Sequence, residues 1–256
     1  MALSLYVEQP SVLHERHPVA KVLAMLLLFV ATFVLDDPLV LAPLTVLVLC
    51  GAWVGQAFGT LWRLRWIIGP VFLFTVLLWT FFYPVQANEP VTRAYAFRYG
   101  LGMAVKLETF ILTGLVFLAT TTVEEFAYAL TRLGVPYRAS FVLTLAFRLV
   151  PVFLEAALTV RDAQRCRGLD FSRGGIVTSI ARYVPVIVPV FIGGLRRADQ
   201  MAFALEVRGF SSERVRSTLP REGVDEFDLL LVGATLALAV LYLALWVRGF
   251  GPVDSW

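Results

Sequence analysis

Five stretches of this chain are too apolar, over too great a length, for a water-soluble fold to cover. They run over residues 19–35, 38–55, 66–83, 99–121 and 229–247. A helix rising about 1.5 Å per residue needs roughly 17 to 25 apolar residues to cross the hydrocarbon core of a bilayer. The run over 99–121 carries Lys106 and Glu108 near its start, and both side chains can reach an interface. The composition agrees, with 59% hydrophobic and 16% charged residues. The fold class expected is all-α: a polytopic membrane protein with about five transmembrane helices and additional interfacial amphipathic helices.

Two further apolar stretches, 139–154 and 181–195, are shorter, are broken by proline and carry Arg148 or Arg182. Runs of that length predict interfacial or buried helices rather than spans. Basic residues set the orientation, because short basic loops stay in the cytoplasm. The turn at 36–37 has none and the loop 56–65 has Arg63 and Arg65, while 84–98, with Arg93 and Arg98, does not discriminate. Five spans then put the amino terminus and segment 121–227 in the cytoplasm and the carboxyl terminus outside. That segment holds 14 of the 22 Lys and Arg residues. The organisation expected is an N-terminal membrane part over 1–121 with about four spans, a cytoplasmic region over 122–227, and a C-terminal span with its tail over 228–256.

Several chemistries find no residues to perform them. The only lysines are Lys21 and Lys106, and neither sits in a G-x-x-x-x-G-K-[ST] loop, so this chain holds no such ATP site. No metalloprotease or nucleophile-elbow motif and no pair of acids within a span supports intramembrane hydrolysis. His14 and His17, three apart, lack nearby carboxylates or thiols and make a weak metal site. Cys50 and Cys166 are far apart and predict no disulfide. A net charge of +3, without aromatic-interleaved basic stripes, sets nucleic acid aside. The mixed, polar first eighteen residues do not resemble a cleavable signal.

The basic segment is more informative. Residues 121–134 open with a capping box, Thr122 and Glu125, and close with Gly134 and Pro136. A longer helix is expected over about 138–167, kinked at Pro151, and another over about 189–208 with Phe191, Leu195, Ala198, Ala202 and Leu205 on one stripe. Each ends in the same pattern: Ala163-Gln164-Arg165-Cys166-Arg167-Gly168-Leu169 and Ala204-Leu205-Glu206-Val207-Arg208-Gly209-Phe210 share A-x-x-x-R-G-apolar, 41 positions apart. Leu154/Leu195 and Ala157/Ala198 keep the same offset. An arginine before a glycine is an ordinary helix stop that complements the helix dipole. It also sets five fixed donors at a helix tip, where they can reach a carboxylate or backbone carbonyls of another protein. Duplication in the same context favours docking.

These residues resemble the transmembrane T component of energy-coupling factor transporters. The similarity takes in His17-Pro18-Val19-Ala20-Lys21, like that family's D-P-[RT]-x-K, together with Arg63-Leu64-Arg65 and Thr120-Thr121-Thr122 with Glu125. It continues through Leu133-Gly134-Val135-Pro136 and Phe147-Arg148-Leu149-Val150-Pro151 to the two A-x-x-x-R-G motifs. Cys166 and Val207 stand where the family usually has Ala, and His17 where it has Asp.

The resemblance implies a non-enzymatic coupling subunit in the cell membrane of a prokaryote, serving import of a vitamin or a transition-metal ion. Arg167 and Arg208, with Gly168, Gly209, Cys166 and Val207 around them, would dock two cytoplasmic ABC-type ATPases. ATP and magnesium would be bound there, with no cofactor on this chain. A separate membrane protein, the S component, would bind the substrate. Two readings compete: a membrane enzyme acting at the cytoplasmic interface, which needs an acid–base or metal cluster, and an ion-coupled carrier using Lys106 and Glu108, which needs inverted repeats of spans.

Overall fold

In a computed structural model of the chain, the described residues are 13, 16–56, 58–82, 93–169, 176–210 and 225–250. His14, most of the 84–98 loop and the stretch 211–224 lie outside them. The described residues form eight α-helices: α1 (Pro18–Val34), α2 (Pro38–Val54), α3 (Phe58–Phe82), α4 (Arg93–Thr120), α5 (Val123–Arg132), α6 (Tyr137–Cys166), α7 (Ile176–Val207) and α8 (Glu226–Leu245). A π-type turn, Trp246–Phe250, continues α8.

Four of the five expected spans match α1, α2, α4 and α8 to within a few residues at most ends. The fifth, 66–83, overlaps α3, which starts eight residues earlier and ends at Phe82. Four helical stretches are long and apolar enough to cross a membrane: Leu61–Phe82, Ala94–Thr120, Tyr137–Cys166 and Glu226–Arg248. α1 and α2, with 17 residues each, reach about 26 Å.

The helix expected over 138–167 is α6, whereas the one expected over 189–208 begins earlier, at Ile176. Residues 139–154 belong to a 30-residue helix that runs through Pro151, and 181–195 to a 32-residue helix that runs through Pro185 and Pro189. Each proline removes one N–H and frees one carbonyl. Opening the chain in an apolar surrounding would free many more, so the helix continues.

The chain divides into two compact units. The first joins Met1–Pro136 to Arg221–Trp256 and the second is Tyr137–Pro220. The amphipathic α5, which the sequence grouped with 122–227, packs against α1 in the first unit. There α4 packs on α1, α2 and α3, and α8 on α1.

Small residues let these helices approach. Ala31, Leu35, Leu41, Leu44, Ala239 and Tyr242 form one buried cluster and Val48, Ala52, Leu61 and Leu112 another. The tightest approach is at Gly102 of α4, where an added Cβ would collide with the backbone carbonyl of Asp36. Large side chains on the outer faces, such as Phe74, Phe81 and Phe82 of α3, are exposed, as suits a surface solvated by lipid tails.

Most buried hydroxyls of the first unit find a partner, while those of Thr80 and Thr121 have none among the described residues. Thr32, Thr45, Thr109, Thr113 and Thr120 donate to the carbonyl four residues back, the usual way to satisfy a hydroxyl in an apolar helix. The Thr45 and Thr109 hydroxyls also meet at 2.7 Å, joining α2 to α4. Tyr242 of α8 donates to the Val40 carbonyl at 2.8 Å. In the second unit α6 packs against α7, and among its described residues only Ser140 and Val186 are buried.

Candidate functional site

Both arginine motifs end their helices by the same backbone device. At the end of α6 the Gly168 N–H donates to the Arg165 carbonyl (2.9 Å) and the Leu169 N–H to that of Gln164 (3.0 Å). At the end of α7 the Gly209 N–H donates to the Glu206 carbonyl (2.9 Å) and the Phe210 N–H to that of Leu205 (2.9 Å). The glycines take φ of +87° and +71°, the left-handed region that residues with a Cβ avoid. Nothing lies within 4 Å of where a Cβ on Gly168 would be, so conformation rather than space demands glycine there.

Arg167 and Arg208 therefore occupy equivalent C-cap positions. Cys166 and Val207 are the last helical residues before them, and both are exposed. Both arginines are exposed, and among the described residues neither forms an ion pair. Their neighbours behave differently: Arg161 meets Asp162 at 3.1 Å and Arg165 meets the same carboxylate at 3.9 Å. α5 ends on a third glycine of this kind, Gly134 at φ +102°, but its C-cap residue is Leu133. Arg132, one position earlier, donates to the Tyr128 hydroxyl at 3.1 Å and lies over that ring. The stop is thus common to three helices, and the unpaired arginine at the cap is confined to two.

Each tip is tied to the opposite helix of its unit. Pro189 has no N–H to give the Pro185 carbonyl four residues back, and the Gln164 Nε2 supplies that missing donor at 3.3 Å. The last turn of α6, one turn before Arg167, is thereby fixed to the middle of α7. At the other end Phe210 packs on Phe141 (4.6 Å between centroids) and Tyr137 (6.2 Å), both in the first turns of α6. Between these ties Phe153, Ala157, Val186, Ile187, Phe191 and Leu195 line an apolar cavity of about 430 Å³. Sequence reasoning placed Phe191 and Leu195 on an apolar stripe. It gave no role to Gln164 and Phe210, for which the proline pair four apart and the apolar residue after each R-G, Phe210 in the second copy, were the available signals.

The first unit holds its own polar ties. Lys21, buried in α1, donates to the Thr120 carbonyl at 3.0 Å and meets Glu125 of the α5 capping box at 3.5 Å. His17 caps α1 through Nδ1, which accepts from the Val19 N–H at 3.3 Å. This is the acceptor role an aspartate would have at that position, so the departure from the family pattern keeps its chemistry. Asp228, also buried, accepts from the backbone N–H of His17 (3.1 Å) and of Asp225 (3.0 Å), so one carboxylate fastens the starts of α1 and α8. Asp37 caps α2 at the Leu39 N–H (3.0 Å) and receives Arg98 at 2.6 Å.

Lys106 reaches Asp36 at 2.7 Å and the Phe33 carbonyl at 2.6 Å. The structure thus gives it a partner other than Glu108. Among the described residues no group of three or more His, Cys, Asp or Glu side chains could hold a metal ion.

A family model described as CbiQ, cobalt transport protein, matches residues 9–219. The chain belongs to this family. It is also similar along nearly its whole length to proteins named energy-coupling factor transporter transmembrane protein EcfT. That of Streptococcus thermophilus is 26% identical, over 94% of this chain and 97% of the relative. That of Acidaminococcus fermentans is 28% identical, over 94% and 95%, and that of Thermosediminibacter oceani 29%, over 94% and 96%. The resemblance drawn from the motifs stands, and with it the assignment of this CbiQ-family chain to membrane transport. The relatives are named as transporter components, not as enzymes.

Proposed function

We propose that this chain is the transmembrane coupling subunit of an energy-coupling-factor ABC importer, with Arg167 and Arg208 as the contacts for two cytoplasmic ATPases. The observation that carries this reading is the pair of equivalent, exposed C-cap arginines without an ion-pair partner among the described residues, each held at the end of a helix of about 45 Å. A planar guanidinium at a helix tip can enter a groove and bond carboxylates or backbone carbonyls there, at little loss of conformational freedom. Movement of the ATPases on binding and hydrolysing ATP would pull on these tips, and α6 and α7 would carry the displacement as stiff levers.

The apolar cavity and exposed apolar faces of the same two helices suit a membrane partner that binds the substrate, the S component, for uptake of a vitamin or a transition-metal ion. The amino terminus, α5 and the arginine tips are then on the cytoplasmic side, with the apolar lengths of α6 and α7 in the lipid boundary of a prokaryotic cell membrane. The carrier reading gains no support, because Lys106 is committed to Asp36.

The test is co-expression with the ATPases and the S component, comparing wild type with Arg167→Glu/Arg208→Glu. The expected result is loss of the ATPases on purification and loss of ATP-dependent uptake, with the chain still folded in the membrane. A double variant that kept both its ATPases and its uptake would show the reading to be wrong.

A further inference from the structure

We propose that the start of α3 carries a binding site for the phosphate headgroup of an anionic phospholipid, with Arg63 and Arg65 as its cations and Trp62 and Trp66 as the platform beside them. Between Asp37 and Glu89 these two arginines are the only charged residues. Both are exposed, and among the described residues neither forms an ion pair. An unpaired cation at the end of an apolar helix calls for an anion from outside the chain.

The geometry narrows that anion to a lipid. Arg65 lies over the Trp62 ring at 4.0 Å and within 5.6 Å of the Trp66 ring centroid. A guanidinium stacked on an indole keeps its edge donors free, and their fork fits two phosphate oxygens. The indoles themselves are open, Trp62 at 59% and Trp66 at 77% exposure, and Trp53 at the end of α2 is 75% exposed.

Three of the six tryptophans thus fall within 53–66, at one end of the candidate span Leu61–Phe82. Indoles gather at the headgroup level of a bilayer, with the ring in the apolar boundary and the N–H toward water. Only residues 55–57 separate α2 from α3, with Gln56 at φ +52°, so Trp53 and the first turns of α3 lie at the same end of the two helices. A soluble anion would gain nothing from this rim, whereas a phospholipid would lay its acyl chains along the exposed apolar side of α3. The site lies in the first unit and stands whether or not the arginine tips of α6 and α7 hold ATPases.

The full-length chain in detergent, given equimolar phosphatidylglycerol and phosphatidylcholine of the same acyl chains, tests this by native mass spectrometry. The wild type should retain phosphatidylglycerol preferentially, and millimolar inorganic phosphate should not displace it. Arg63→Gln/Arg65→Gln should lower that retention on the order of 25-fold, about five-fold per arginine, and leave phosphatidylcholine unchanged. Trp62→Leu/Trp66→Leu, with both arginines present, should give an intermediate loss.

Equal retention of the two lipids by wild type would overturn the proposal. So would displacement by inorganic phosphate, or a double arginine variant within two-fold of wild type. Should the arginine variant not fold, salt titration of the wild type decides: retention that falls with added salt supports the site, and retention indifferent to salt overturns it.

Discussion

The two compact units of this chain are built on opposite terms. In the first, α1 to α5 and α8 bury small and apolar side chains, and charged groups are tied between elements: Lys21 with Thr120 and Glu125, Asp37 with Arg98, Lys106 with Asp36, Asp228 with two backbone N–H groups. In the second, α6 and α7 leave all their described side chains but Ser140 and Val186 exposed or half-buried. The ties described between them are the Gln164 to Pro185 hydrogen bond and the Phe210 stack. A bundle that satisfies its own polar groups is a scaffold. A helix pair that leaves apolar faces and charged tips unsatisfied is shaped by partners not present in the chain.

That contrast can be broken most easily where the first unit is tightest. Gly102→Ala should cost more than about 3 kcal/mol, because its methyl meets backbone rather than a movable side chain. Gly233→Ala in α8, where nothing lies within 4 Å, should be neutral or mildly stabilising in the same thermal unfolding assay in detergent. Arg98→Met comes next, at about 3 kcal/mol, since it strands Asp37 buried without its counter-charge. Adding Asp37→Asn should recover part of that loss, and equal unfolding temperatures for the single and double variants would show that the pair does not act as a unit.

Asp228→Ala should cost about 1 to 3 kcal/mol and loosen the start of α1 and of α8 together. Hydrogen exchange confined to one helix would contradict the shared role. In the second unit the same assay should register little. Arg167→Ala/Arg208→Ala should unfold within about 0.5 kcal/mol of wild type, as surface substitutions do, while losing the ATPases.

The limits of the first unit were legible in the sequence because long apolar runs bounded by Pro, Asp and Gly leave few alternatives: Pro18 and Pro38 start α1 and α2, and Thr122 with Glu125 starts α5 as the capping box predicts. The ties between helices were not, because each joins residues far apart in the chain: 61 positions for Arg98 and Asp37, 70 for Lys106 and Asp36, 211 for His17 and Asp228.

The helix expected over 138–167 matches α6 to within one residue at each end, but α7 starts earlier than expected because proline was weighted as a break, as it is in water, where a freed carbonyl finds solvent. Here the Pro185 carbonyl finds Gln164. The arginine tips were legible because a repeat 41 residues apart is visible without any structure, and the glycine conformations then followed from the residue type.

The central claim is that the arginine at the C-cap, not the glycine stop as such, marks a docking tip. A photo-crosslinking residue placed in turn at 167, 208 and 132, in cells that also express the ATPases and the S component, tests it most directly. The account predicts crosslinks to the ATPases from 167 and from 208 and none from 132, although all three lie at the ends of helices that stop on a left-handed glycine. Crosslinking to the ATPases from 132 as strong as from 167 and 208, or none from 167 and 208, would contradict it.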